Sequence, residues 1–124
     1  MNTILWISLG AIIGANMRYF VARFSMKYLS SSIPYGTFIV NITGSFILGF
    51  FLAWTIERVL VDPRWKPFIA IGFCGAYTTY SSYSYETIAL LEQGNYSVAA
   101  LNFLFNNIFS LFATVAGIAL ARVL

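Results

Sequence analysis

Four apolar stretches divide the chain, at about Thr3–Phe24, Thr37–Glu57, Pro63–Gln93 and Ser97–Val123. About 20 residues of helix cross the hydrocarbon of a bilayer, and each stretch reaches that length. Polar and small residues interrupt them at helical spacing rather than at random. Gly10, Gly14 and Arg18 recur every four residues in the first, and Asn41, Ser45 and Gly49 in the second. Asn102, Asn106, Ser110 and Thr114 do so in the fourth, beside Asn107. Each series shares one face of a helix. Gly10-x-x-x-Gly14 and Gly117-x-x-x-Ala121 are pairs that let helices approach closely.

The third stretch breaks this pattern. Asp62-Pro63 is a helix-start signal and Gln93-Gly94-Asn95 a helix-stop signal. The interval is longer than a straight crossing needs. It contains Gly72 and Gly75, then a run of hydroxyl side chains from Tyr77 to Tyr85, then Glu86. Hydrocarbon does not tolerate so many unmet donors, and irregular backbone at membrane depth survives only inside protein or along a cavity. The pattern predicts a helix broken near the middle of this stretch.

Composition agrees: 60% of residues are hydrophobic and 9% charged, against about 25% charged in soluble domains. The expected fold is an all-α membrane protein with a single four-helix transmembrane domain over residues 1–124. The first stretch lacks a basic residue ahead of it, so it reads as a retained helix and not a cleaved signal peptide. Histidine is absent and Cys74 is the single cysteine, which excludes His/Cys metal sites, histidine-based triads and disulfides within the chain. Cys74 reads as a small buried filler. The net charge of +3 suits anionic membrane lipid, and no basic cluster marks a nucleic-acid surface.

With four crossings, both termini and the second loop share one side. That side carries Arg58, Arg64, Lys66 and Arg122 against Glu57 and Asp62; the other carries Arg23 and Lys27 against Glu92. Orientation follows the Lys/Arg bias of short loops, and here the bias is weak. Four short helices do not easily enclose a pathway. An antiparallel dimer is therefore expected.

Amides and hydroxyls both donate and accept, so the stripes alone do not fix the sign of a guest. Three features favour an anion. Glu86 is the one acid within a crossing, Arg18 lies in a crossing, and aromatic ring edges, which carry positive partial charge, are abundant. A narrow path of donors replaces the hydration shell of a small ion. Tyr80 and Tyr83 share a face if the helix resumes after the break, as do Ser82 and Glu86. Ordinary packing is the plainer reading of two aromatics at that spacing, as snorkelling is for Arg18 and helix-to-helix hydrogen bonding for Asn41.

These residues resemble a known family, the small bacterial fluoride channels called Fluc or CrcB. The resemblance covers nearly the whole chain and rests on three segments together: Gly14-Ala15-Asn16-Met17-Arg18, Gly36-Thr37-Phe38-Ile39-Val40-Asn41, and Gly72 through Glu86. It implies an antiparallel, dual-topology dimer with two fluoride pathways in a bacterial or archaeal plasma membrane. It implies that Asn41 lines the pathway and that the third helix breaks at its centre. Backbone carbonyls of Gly75 and Thr78 would hold a structural sodium ion on the dimer axis. Ser81, Ser82 and Glu86 would form a polar track, Asn106 and Ser110 would face the pathway, and Arg18 would lie at the vestibule. The family carries a pair of phenylalanines where this chain has Tyr80 and Tyr83. The partner is then either an identical chain or a paralogous subunit.

The expected function is passive fluoride export without enzyme activity. One alternative is a small four-helix, dual-topology drug or cation exporter. Such exporters rely on a carboxylate in the first helix, and none is present here. The other is a non-transporting membrane assembly factor whose stripes only join helices.

Overall fold

A computed structural model describes residues 2–58 and 60–124. The first pass is α1 (Asn2–Tyr28) and the second α2 (Tyr35–Glu57). The third opens with a π-helical stretch, Lys66–Phe73, runs into α3 (Cys74–Tyr77), breaks, and resumes as α4 (Tyr80–Glu92). The fourth comprises α5 (Tyr96–Leu104), a π-helical turn at Phe105–Phe109 and α6 (Ser110–Val123). The first, second and fourth are each long and apolar enough to cross a membrane. Their outward faces expose large apolar side chains such as Ile12, Phe20, Leu111 and Phe112. The chain is a multi-pass membrane protein.

The small-residue pairs set the packing. A side chain at Gly10 would collide with the carbonyl oxygen of Phe68, and one at Gly14 with that of Phe73. The backbone of α1 therefore lies directly on the π-helical stretch, as the Gly10/Gly14 spacing predicts. Gly117 on α6 meets the backbone of Phe46 in the same way, and α2 and α6 pack along each other. Without a hydrophobic driving force in lipid, such close approach supplies the dispersion contact that associates helices.

The ends behave differently from one another. Gly94 takes φ 75°, with Asn95 N–H donating to Leu90 O and Gly94 N–H to Leu91 O, the double closure expected of glycine after a helix. At the other end Asp62 does not cap the third helix. Its Oδ1 accepts from the Arg64 N–H at 2.9 Å, and the helix begins only at Lys66. Asp62 is instead bound by the Arg64 guanidinium at 2.6 Å, which holds its pKa down at about 2. The Arg64 guanidinium lies over the Trp6 ring, and Arg58 donates to the Leu124 carbonyl. Both terminal helices and the second loop thus meet at one end, as four crossings require.

Candidate functional site

The site is built where the third pass breaks. Thr78 (ψ 161°) and Thr79 (φ −151°, ψ 120°) are extended between α3 and α4. A break at membrane depth strands backbone groups, and each stranded group costs several kcal/mol unless it is met. Asn41 on α2 meets two of them. Its Oδ1 accepts the Thr79 N–H at 2.8 Å, and its Nδ2 donates to the Thr79 carbonyl at 3.1 Å. Gly44, one turn further along α2, leaves room for the Thr78 methyl group, which any side chain there would strike. Thr79 also caps α4, its Oγ1 accepting the Ser82 N–H at 3.2 Å.

One backbone N–H orients a whole series of amides. Because Thr79 N–H needs an acceptor, the oxygen of Asn41 must face it and the nitrogen must face away. That nitrogen donates to Asn106 Oδ1 at 2.6 Å. Asn106 Nδ2 in turn donates to Asn102 O at 2.8 Å and Asn102 Oδ1 at 2.9 Å. Asn102, 0% exposed, donates to Thr87 Oγ1 at 2.8 Å, and Thr87 donates to the Tyr83 carbonyl at 2.8 Å. The series joins the break to the first turns of α4 through three passes. The π turn at Phe105–Phe109 is the wider turn that lets the consecutive Asn106 and Asn107 both face inward.

A cleft of about 220 Å³ opens beside this network, lined by Asn41, Ser45, Leu48, Thr78, Thr79, Tyr80, Tyr83, Asn106, Asn107 and Ser110. Of the residues singled out in the sequence, Asn41, Thr78, Tyr80, Tyr83, Asn106 and Ser110 come together here. The Tyr80 and Tyr83 rings meet edge to face, with centroids 5.4 Å apart. They are not equivalent: Tyr83 is 8% exposed and Tyr80 77%. Tyr83 is anchored, its hydroxyl accepting from Asn107 Nδ2 at 2.9 Å.

The expectation that the asparagines donate to a guest needs revision. Both Nδ2 hydrogens of Asn41 go to Thr79 O and Asn106 Oδ1, and both of Asn106 go to Asn102. These amides line the cleft, yet their donors are engaged with protein. The hydroxyls are differently placed. Tyr83 accepts from Asn107 and retains its own proton, and Ser110 Oγ is buried with no hydrogen-bond partner among the described residues.

The other expected residues lie elsewhere. Ser81 is exposed, and Ser82 Oγ accepts from Thr79 Oγ1 at 3.1 Å beside the break. Glu86 lines a second cavity of about 360 Å³ towards the first loop, with Ser25, Thr37 and Gln93. Its Oε1 accepts from Thr37 Oγ1 at 2.8 Å while its Oε2 is buried without a partner among the described residues. Arg18 is half-buried on α1 and is not part of the cleft. Thr37, Asn107 and Thr87 are contributors the sequence reading did not select as site residues. Thr37 was detectable, because it stands one turn before Asn41 on the same face. Thr87 gave no such signal.

The described residues contain no group of three or more His, Cys, Asp or Glu side chains suited to a metal. Backbone oxygens are another matter. Gly75 O would ordinarily accept from Thr79 N–H, and Thr78 O from Ser82 N–H. Those two donors go to Asn41 Oδ1 and Thr79 Oγ1 instead. The carbonyls of Gly75 and Thr78 are thereby released from the helix, and neutral oxygen donors of this kind suit a hard cation. Around Gly75 nothing lies within 4 Å of where a side chain would begin. The residues fit a sodium ion bound by backbone.

Residues 5–118 match the family model described as CrcB-like protein, Camphor Resistance (CrcB). A protein of Koribacter versatilis named fluoride-specific ion channel FluC is 56% identical over 95% of this chain and 94% of its own length. One of the same name from Sulfurihydrogenibium sp. is 46% identical over the full length of both chains. A third, from Clostridium perfringens, is 38% identical over 97% of this chain and 94% of its own. Matching over nearly all of its length, with its polar residues gathered at a broken third helix, the chain belongs to the CrcB family.

Proposed function

We propose that this protein is a channel through which fluoride leaves the cytoplasm passively, lowering its toxicity, and that it has no enzyme activity. The observation that carries the reading is the cleft at the break, with the Tyr83 and Ser110 hydroxyls unclaimed as donors beside two aromatic rings. Relatives along the full length bear the name fluoride-specific ion channel. A small, strongly hydrated anion gives up its water only where donors replace it, and hydroxyl protons and ring edges are such donors. The engaged asparagines hold the wall, and the Tyr80 and Tyr83 ring edges, with the Ser110 hydroxyl, receive the ion.

One chain leaves the cleft open on the side of Tyr80, whose ring is 77% exposed. A second chain closes it in this reading, as an antiparallel dimer in a bacterial or archaeal plasma membrane. The second copy is an identical chain or a paralogous subunit. The carbonyls of Gly75 and Thr78 hold a structural sodium ion between the two protomers, where it supplies positive charge that joins their broken helices. Ser81, Ser82 and Glu86 continue the polar route from the cleft, and Arg18 lies at its mouth.

The exporter alternative lacks support, because α1 carries no carboxylate to exchange protons for substrate. Liposomes loaded with fluoride and containing purified protein test the reading. Rapid fluoride efflux, without chloride efflux and without a proton gradient, is expected. Efflux that requires a proton gradient indicates an exporter, and absence of efflux from folded protein indicates an assembly role.

A further inference from the structure

We propose that Asn41 and Thr79 are positioning residues that keep the carbonyls of Gly75 and Thr78 available to a cation, each by diverting one backbone N–H. The inference rests on the sodium reading above and extends it to residues that do not touch the ion. Asn41 Oδ1 takes the Thr79 N–H at 2.8 Å, and Thr79 Oγ1 takes the Ser82 N–H at 3.2 Å. In an uninterrupted helix those two N–H groups would bond to Gly75 O and Thr78 O, four residues earlier. An aliphatic residue at 41 leaves Thr79 N–H buried and unmet, since Thr79 is a buried residue. The nearest remedy is to close the helix over Gly75 O, because a stranded buried donor is costly. The acceptor that would have faced the cation is then consumed.

The same geometry separates two functions of Asn41. Its oxygen acts on Thr79 N–H and so on the cation carbonyl. Its nitrogen acts on Asn106 Oδ1 at 2.6 Å and so on the wall of the cleft. Asn41→Asp keeps an acceptor for Thr79 N–H. Asn41→Leu removes the acceptor. At position 79, Thr79→Ser keeps the hydroxyl that takes Ser82 N–H, whereas Thr79→Val keeps the shape and removes it.

The test is thermal unfolding of the purified dimer in detergent, titrated with sodium chloride against a constant total of N-methylglucamine chloride. The unmodified protein, Asn41→Asp and Thr79→Ser are expected to gain thermal stability with similar sodium midpoints. Asn41→Leu and Thr79→Val are expected to shift the midpoint at least tenfold upward or lose the dependence. A sodium midpoint unchanged in both Asn41→Leu and Thr79→Val overturns the proposal while leaving the sodium site in place. An unmodified protein indifferent to sodium overturns the site itself, and the proposal with it. Should Asn41→Leu yield no folded dimer, Thr79→Val, which keeps Asn41, decides by the same midpoint.

Discussion

Asn107 Nδ2 donates to the Tyr83 hydroxyl at 2.9 Å, across from the α5–α6 pass to the first turn of α4. This contact gives the tyrosine a fixed place beside the cleft and leaves the hydroxyl proton for another acceptor. Tyr80, on the same face, has no such anchor among the described residues and is 77% exposed.

The two tyrosines therefore make separable predictions. Tyr83→Phe removes one hydrogen bond, about 1 kcal/mol, while Asn107 keeps its bond to the Phe103 carbonyl at 2.9 Å. The ring edge survives, so Tyr83→Phe and Tyr80→Phe are expected to keep fluoride efflux within a few-fold of the unmodified protein or raise it. Tyr83→Ile and Tyr80→Ile remove the edge and are expected to lower efflux more than tenfold. Initial efflux from liposomes with matched dimer content is the measurement. If phenylalanine abolishes flux as fully as isoleucine, the hydroxyl is the essential donor and the ring edge is not.

Asn41→Asp is expected to collapse fluoride efflux in a protein that still elutes as a dimer. A carboxylate in the cleft wall repels the anion, and no basic side chain lines the cleft to offset it. Retained flux in the folded variant would exclude the cleft as the anion route and leave Asn41 as a helix clamp alone.

Glycine substitutions distinguish contacts inside the protomer from contacts beyond it. Gly14→Val drives a branched side chain into the Phe73 carbonyl, and a destabilisation of about 2–4 kcal/mol or failure to fold is expected. Gly75→Ala meets nothing within 4 Å in its own chain. Its protomer is expected to fold normally, so any loss of dimer on size-exclusion chromatography reports the partner subunit. A dimer unaffected by Gly75→Ala would place Gly75 away from the interface.

Insertion orientation is expected to be mixed. The pairs Arg64–Asp62 at 2.6 Å and Arg122–Glu57 at 3.8 Å offset charge at the end that holds the second loop. Asp62, with its pKa lowered to about 2, stays ionised through the physiological range. Its contribution, present above the ordinary carboxylate pKa, is lost only as pH falls towards 2. Single cysteines placed in this loop, in a Cys74→Ser background, are expected to label from both sides of the membrane. Replacing Arg64 and Lys66 together is expected to move the loop to the outside. Labelling of the unaltered charge pattern from one side only would rule out dual topology.

The linear pattern was enough for the four passes, the close contact of α1 through Gly10 and Gly14, the stop at Gly94 and the interruption of the third pass. Those features depend on local periodicity and on residues whose size or backbone freedom acts within a turn. Asn41, Asn106, Ser110, Tyr80 and Tyr83 were legible as a set, because a polar residue in an apolar helix must face something other than lipid. What each one faces was not legible. Position along a helix gives a direction but no partner, and an amide offers donors and an acceptor equally. Only the tertiary arrangement, by putting Thr79 N–H against Asn41, fixed the orientation of Asn41, Asn106 and Asn102 and withdrew their donors from the cleft. The tertiary arrangement also decided which backbone oxygens the break leaves uncovered: Asn41 Oδ1 takes the Thr79 N–H and Thr79 Oγ1 the Ser82 N–H, the two donors that would cover the Gly75 and Thr78 carbonyls in an unbroken helix.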